Sequence, residues 1–71
     1  MKLEDAVERN PEIVSGTLCF RGTRVPVKTL FDHLEVGQLE QFYRDFPDVT
    51  TDMVEAVLRE SNMLLNERIP A

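Results

Sequence analysis

Three basic residues lie together in a part of the chain that contains no acidic residue. Between Ile13 and Phe31 these bases are Arg21, Arg24 and Lys28, whereas the rest of the chain carries all 13 acidic residues. Lysine and arginine neutralise phosphates, and an arginine forks onto a phosphate or a carboxylate. The cluster is therefore a candidate set of DNA contacts. Two alternatives stay open. Either the three bases are clustered by chance in a short chain, or Arg24 pairs with an acidic residue outside this segment and has a structural role.

A second set of candidate DNA contacts lies at the start of the last predicted helix. In a helix-turn-helix domain the third helix enters the major groove and reads bases with its N-terminal residues. Here those residues are Thr50, Thr51 and Asp52, and Arg59 is the base that follows them. The acids of this helix repel phosphates, so phosphate neutralisation has to come from the basic cluster or from a partner.

The remaining reactive side chains form no catalytic pattern. His33 has Asp32 beside it, but adjacent residues of a helix face different directions, and no second histidine or cysteine pair completes a metal set. We interpret His33 as solvent-facing and Cys19, in an apolar strand, as a small buried hydrophobe. The chain has no phosphate loop, nucleophile elbow or dinucleotide fingerprint. We expect no enzyme activity, metal, cofactor or small-molecule substrate.

Short strands are predicted ahead of the helices. Residues 1–12 show a brief helical pattern that ends at a proline, and we interpret them as a loosely held lead-in. Ile13–Val14 and Leu18–Phe20 are β-favouring runs, and Gly16 between them suits the positive φ of a tight turn. The sequence thus predicts a hairpin within residues 13–25.

Two short helices follow the predicted hairpin. Pro26 fits a first helical turn, and an apolar stripe with i, i+3, i+4, i+7 spacing predicts a helix over Val27–Val36 that ends at Gly37. The same pattern recurs in residues 39–46 and stops at Pro47.

A third helix is predicted from a cap at Thr50 or Thr51 to about Asn66. Its expected buried face consists of Val54, Val57, Leu58, Ser61, Leu64 and Leu65. Three helices with short connections over residues 26–66 are typical of helix-turn-helix domains. The predicted fold is mainly α, with an N-terminal β-hairpin before a three-helix bundle that is homeodomain-like or winged-helix-like, in a single domain over residues 1–71.

The size and charge of the chain limit its class. With 71 residues, one cysteine and a net charge of −5, it can form one small domain without an internal disulfide. A core of this size supplies only a few kcal/mol of folding free energy. We therefore expect a homodimer, because association buries more apolar surface. No apolar run reaches the roughly 18 residues of a membrane span, and the acidic N-terminus is unlike a signal peptide. We therefore expect a cytoplasmic protein without membrane contact.

Residues 10–65 contain four sequence motifs, in this order: Pro-x-Ile-x-x-Gly, the core Arg-Gly-Thr-Arg-Val-Pro-Val, Leu-x-x-Gly at a predicted helix end, and Asp-Phe-Pro after the next helix. Together these motifs closely resemble those of the DUF433 family of small prokaryotic proteins. The motif residues are Gly16, Gly22, Thr23, Arg24, Pro26, Gly37 and Pro47. The resemblance implies a homeodomain-like helix-turn-helix fold and an antitoxin-like role, commonly paired with a PIN-like ribonuclease toxin.

Local geometry within these motifs can also be predicted from the residues. Gly22 lies where the chain changes direction, so we expect it to adopt a positive φ. The Thr23 side chain is expected to form hydrogen bonds with nearby backbone groups. After Gly37 the chain is one residue shorter than the family pattern, so we expect the turn before the second helix to be tighter or differently capped.

Two function classes follow from these features. The first is an antitoxin-like regulatory protein that binds and neutralises a PIN-like ribonuclease toxin, with its own promoter DNA as a further candidate ligand. The alternative is an interaction module that does not bind DNA and acts only as a homodimeric partner subunit. The negative charge argues against strong non-specific DNA binding and favours a basic partner.

Overall fold

A computed structural model of the protein describes residues 1–13 and 16–71. Within these residues the chain forms four helices and two strands. In chain order they are α1 (Leu3–Ala6), β1 (Val7–Arg9), β2 (Leu18–Phe20), α2 (Val27–Glu35), α3 (Leu39–Asp45) and α4 (Thr51–Arg68). The mainly helical fold with an N-terminal antiparallel hairpin agrees with the prediction.

The first strand of the hairpin differs from its predicted position. β1 pairs antiparallel with β2, and Val7 lies opposite Phe20. Of the predicted strand Ile13–Val14, Ile13 lies in a bend and Val14 is outside the described residues. The pairing buries Val7 to 9% exposure beside the fully buried Ala6. The interpretation of residues 1–12 as a loosely held lead-in was therefore wrong for α1 and β1, because α1 packs against α4 and buries Ala6.

Helix α2 begins at the predicted residue, Val27, and ends at Glu35, one residue before the predicted Val36. Pro26 precedes it with φ −63°, the value its ring imposes. At the other end Gly37 has φ +69°, its amide donates to the Leu34 carbonyl at 3.1 Å, and the Gln38 amide donates to the His33 carbonyl at 2.8 Å. These two bonds form a Schellman motif, which satisfies carbonyls that the helix end would otherwise leave unpaired.

Helix α3 begins directly after this motif. Gln38 occupies its N-cap without a side-chain hydrogen bond, which agrees with the predicted change in capping. Phe42 is fully buried, with its ring centroid 6.0 Å from that of Phe20 and 5.3 Å from that of Phe46. This residue joins the hairpin to the helices.

Helix α4 is the longest element, and only part of it is buried. The Thr50 hydroxyl accepts a hydrogen bond from the Met53 amide at 3.2 Å, which is the predicted cap. Its buried residues are Val54, Ala56 and Val57. The predicted burial of Leu64 and Leu65 was wrong, since they are 53% and 64% exposed. Helical periodicity shows which residues share a face, but α4 extends past the elements against which that face packs.

None of the described helices is long and apolar enough to span a bilayer.

Candidate functional site

Arg21, a candidate DNA contact, is held by the N-terminal segment. Its Nε and Nη2 donate to the Glu4 carbonyl at 3.2 and 2.8 Å, and Nη2 also donates to the Val7 carbonyl at 3.3 Å. Nη1 lies 3.2 Å from the Glu8 carboxylate. The planar guanidinium thus uses its fork to join α1 and β1 to the turn after β2. A contact with a phosphate would need the same N–H groups, which already form these bonds.

Arg24 lies in the same turn but behaves differently. Its side chain is exposed and makes no hydrogen bond or ion pair with the described part of the chain. The structural pairing considered for Arg24 is therefore made by Arg21 instead. Arg24 is the member of the predicted basic cluster whose side chain has no partner among the described residues.

The two other candidate bases also have partners within the chain. Lys28 Nζ lies 2.8 Å from the Asp32 carboxylate one helical turn away, and this hydrogen bond and charge raise the pKa of Lys28. Arg59 Nη2 donates to the Met1 carbonyl at 2.6 Å. Arg21 and Arg59 thus bind carbonyl groups of the same N-terminal segment, and sequence reasoning missed this because both contacts are long-range.

The candidate base-reading residues lie at the accessible start of α4. Thr51 and Asp52 are exposed, while the Thr50 hydroxyl is already engaged as the helix cap. The first turn of α4 therefore presents one hydroxyl and one carboxylate to solvent. A carboxylate at this position repels phosphate oxygens.

The turn between β2 and α2 explains most of the motif residues structurally. The Thr23 hydroxyl donates to the Phe20 carbonyl at 2.8 Å and accepts from the Val25 amide at 3.1 Å, as predicted for this threonine. Gly22 has the predicted positive φ, at +76°. Together with the contacts of Arg21, these bonds make the motif a turn that fixes α2 against the hairpin.

His33 is not solvent-facing, so that interpretation was wrong. Its side chain is 20% exposed, its Nδ1 lies 2.8 Å from the Thr29 carbonyl, and its ring packs edge-on against Phe42 and Phe46. Its Nε2 lies 4.0 Å from an Asp45 carboxylate oxygen. The spacing of three residues from Leu30 on the apolar stripe was the available signal for this packing. Cys19 is fully buried, as predicted.

We expect Arg21→Ala to destabilise the protein while Arg24→Ala does not. Arg21 is half exposed, so the loss of its carbonyl bonds should lower the free energy of unfolding by about 1 kcal/mol. Arg24→Ala removes no such contact and should change it by less than about 0.5 kcal/mol. Urea unfolding followed by circular dichroism measures both, and equal midpoints for the two variants would contradict the structural role of Arg21.

Comparison with known proteins identifies the family of the chain. No curated protein and no solved structure matches it. The family described as "Protein of unknown function (DUF433)" matches residues 7–59, which is more than half of the chain. The match extends from β1 through residues 21–26, the turn between β2 and α2 that we call the motif turn. It continues through α2 and α3 into the first half of α4. The chain therefore belongs to the DUF433 family.

Proposed function

We propose that this protein is an antitoxin-like interaction module whose ligand is another protein. The observation that carries the proposal is that three of the four basic side chains predicted to contact phosphates already bind other groups of the chain. These three residues are Arg21, Lys28 and Arg59. Proteins that bind DNA tightly neutralise several phosphates, commonly about 6 to 10. Arg24 alone supplies far less than that.

The charge of α3 and the start of α4 supports a basic partner. Residues 37–58, which we call the acidic segment, contain five exposed acids and one base. The acids are Glu40, Asp45, Asp48, Asp52 and Glu55, and the base is Arg44. Burial and, to a smaller extent, the charge of Glu55 raise the pKa of Tyr43, so one acid of α4 acts on a side chain of α3. Such a surface attracts a positively charged partner and speeds its encounter.

A PIN-like ribonuclease fits this chemistry. A nuclease cleft that holds the RNA backbone presents positive charge, and an acidic protein can cover it as a phosphate mimic. The DUF433 resemblance implies this class of partner, and the acidic segment supplies the complementary charge. In this proposal the protein neutralises the nuclease by occupying its substrate cleft.

Promoter DNA is the second candidate ligand. The order and connections of α2, α3 and α4 support a homeodomain-like helix-turn-helix arrangement, in which α4 is the recognition helix. Exposure of Thr51 and Asp52 at its start, and the lack of a partner for Arg24 among the described residues, favour this candidate. The expected affinity of the chain alone is low because its net charge is −5.

The deciding experiment measures both ligands with the same preparations. The chain is titrated against a duplex of its own upstream region at several salt concentrations, and against any PIN-like nuclease encoded in the adjacent reading frame. We expect no gel shift by the chain alone, and inhibition of the nuclease. The triple variant Glu40→Gln, Asp48→Asn, Glu55→Gln should inhibit much less, because it removes three charges of the acidic segment.

A matched control distinguishes the effect of charges in the acidic segment from the effect of the net charge of the chain. Asp5→Asn, Glu12→Gln and Glu67→Gln remove the same number of exposed acids outside the acidic segment and should leave inhibition unchanged. A gel shift by the chain alone would instead support promoter binding, particularly if Arg24→Ala lowers the log–log salt slope by about 0.9. Absence of nuclease inhibition, with folded protein, would contradict the antitoxin-like role.

A further inference from the structure

The end of α4 presents an apolar surface that the described part of the chain leaves uncovered. Residues 62–71 are all exposed, and they include large apolar side chains at four positions. These are Met63, Leu64, Leu65 and Ile69, each between 50% and 76% exposed. Most helical stability in proteins comes from packing of an amphipathic face. Two helical turns without tertiary packing therefore need another surface.

An apolar groove lies beside this helix end. It has a volume of about 220 Å³. Its walls include Leu18, Val27 and Phe31 on the body and Val57, Ser61 and Leu64 on α4. Leu64 thus belongs both to the groove and to the exposed helix end, and it is the exposed apolar side chain of this end that lines the groove.

We propose that a second copy of this chain covers the groove and Leu64, with the two α4 helices antiparallel about a two-fold axis at Leu64. Val57, Glu60, Ser61, Leu64 and Arg68 share one face of α4, because their spacing follows the helical repeat. In a two-fold interface each residue that contacts another is contacted in return. Leu64 of one copy then meets Leu64 of the other.

The charges on this face favour that arrangement. Glu60 and Arg68 each lie four residues from Leu64, so the axis places Glu60 of each copy opposite Arg68 of the other. A shift of the axis to a point between Met63 and Leu64 would oppose Glu60 to Glu67 and Arg59 to Arg68, which repel. The charges thus favour a two-fold axis at Leu64 over this shifted axis.

The same charges favour a second copy over a basic partner. Residues 59–71 contain two acids and two bases, whereas the whole chain has a net charge of −5. This end of α4 therefore carries no net charge and does not repel its own copy. A basic partner is attracted more strongly to the acidic segment, so the two surfaces serve different ligands.

The test begins with the mass of the protein in solution, by light scattering after gel filtration. We expect twice the chain mass of 8.2 kDa for the wild type and the single-chain mass for Leu64→Asp, which places two carboxylates at the axis. Glu60→Arg and Arg68→Glu should each raise the dimer dissociation constant by about tenfold or more, because each opposes like charges. The double variant exchanges the two charges and should restore the dimer.

A control on the other face of the helix excludes a general effect of charge. Met63 is half exposed and does not line the groove, so Met63→Asp should leave the dimer mass unchanged. As an independent measurement, Leu64→Cys should form a symmetric disulfide under oxidation, because its sulfur meets its own copy at the axis. Met63→Cys should not, and the native thiol of Cys19 is fully buried.

Four results would overturn the proposal. Because association depends on protomer concentration, a single-chain mass for the wild type at about 100 μM excludes the dimer. A dimer that persists in folded Leu64→Asp places the interface elsewhere, and failure of the charge exchange to restore association excludes this register. A complex that forms only with the adjacent-frame nuclease and is lost in Leu64→Asp assigns the surface to that partner. These variants leave the acidic segment intact, so nuclease inhibition is scored separately.

Discussion

Phe42→Ala is expected to lower the free energy of unfolding by about 3 to 5 kcal/mol. A domain of this length has a total stability of roughly 4 to 11 kcal/mol. Phe42 is fully buried and contacts the rings of Phe20, His33, Tyr43 and Phe46 at centroid distances of 5.3 to 6.0 Å. Its removal leaves a cavity that touches β2, α2 and α3 together.

Urea unfolding followed by near- and far-ultraviolet circular dichroism measures this effect. Phe42→Leu is the matched control, because it retains most of the apolar volume and should cost about 1.5 kcal/mol or less. A midpoint for Phe42→Ala equal to that of the wild type would show that the aromatic cluster does not hold the hairpin to the helices.

Gly22→Val is expected to lower the free energy of unfolding by about 1 to 3 kcal/mol. The φ of Gly22 is +76°, a region that a β-branched side chain strongly disfavours. A Cβ at this position would have no heavy atom within 4 Å, so the loss arises from backbone strain and not from a steric clash. The strain acts on the turn that orients α2.

Gly22→Asn provides the control for this interpretation. Asparagine adopts the left-handed region more readily than valine, so its cost should be clearly smaller. Thermal unfolding of the wild type and the two variants ranks them. Equal melting temperatures for Gly22→Val and the wild type, or equal losses for valine and asparagine, would show that positive φ is not the property this turn requires.

The motif turn has a consequence for the function of the chain. Arg21, Gly22 and Thr23 each maintain the geometry of the turn through a bond or a backbone conformation within the chain. Arg24 has no such role among the described residues. Arg24→Ala therefore separates ligand binding from stability, whereas any loss of binding in Arg21→Ala has to be corrected for a loss of folded protein.

The sequence by itself determined the features that depend on neighbouring residues. The limits of α2 follow from Pro26 and Gly37, and the start of α4 follows from the Thr50 cap. The positive φ of Gly22 and the hydrogen bonds of Thr23 also arise within a few residues. Such signals are readable because their donors, acceptors and steric limits lie close together in the chain.

Only the tertiary structure decided which surfaces meet. The partner of β2 is Val7–Arg9, and Arg21 binds the Glu4 carbonyl 17 residues away. The burial of His33 depends on aromatic rings from α3, and the exposure of Leu64 depends on where the body of the protein ends beneath α4. Helical periodicity defines a face, but its burial depends on an element supplied from elsewhere in the chain or from a second molecule.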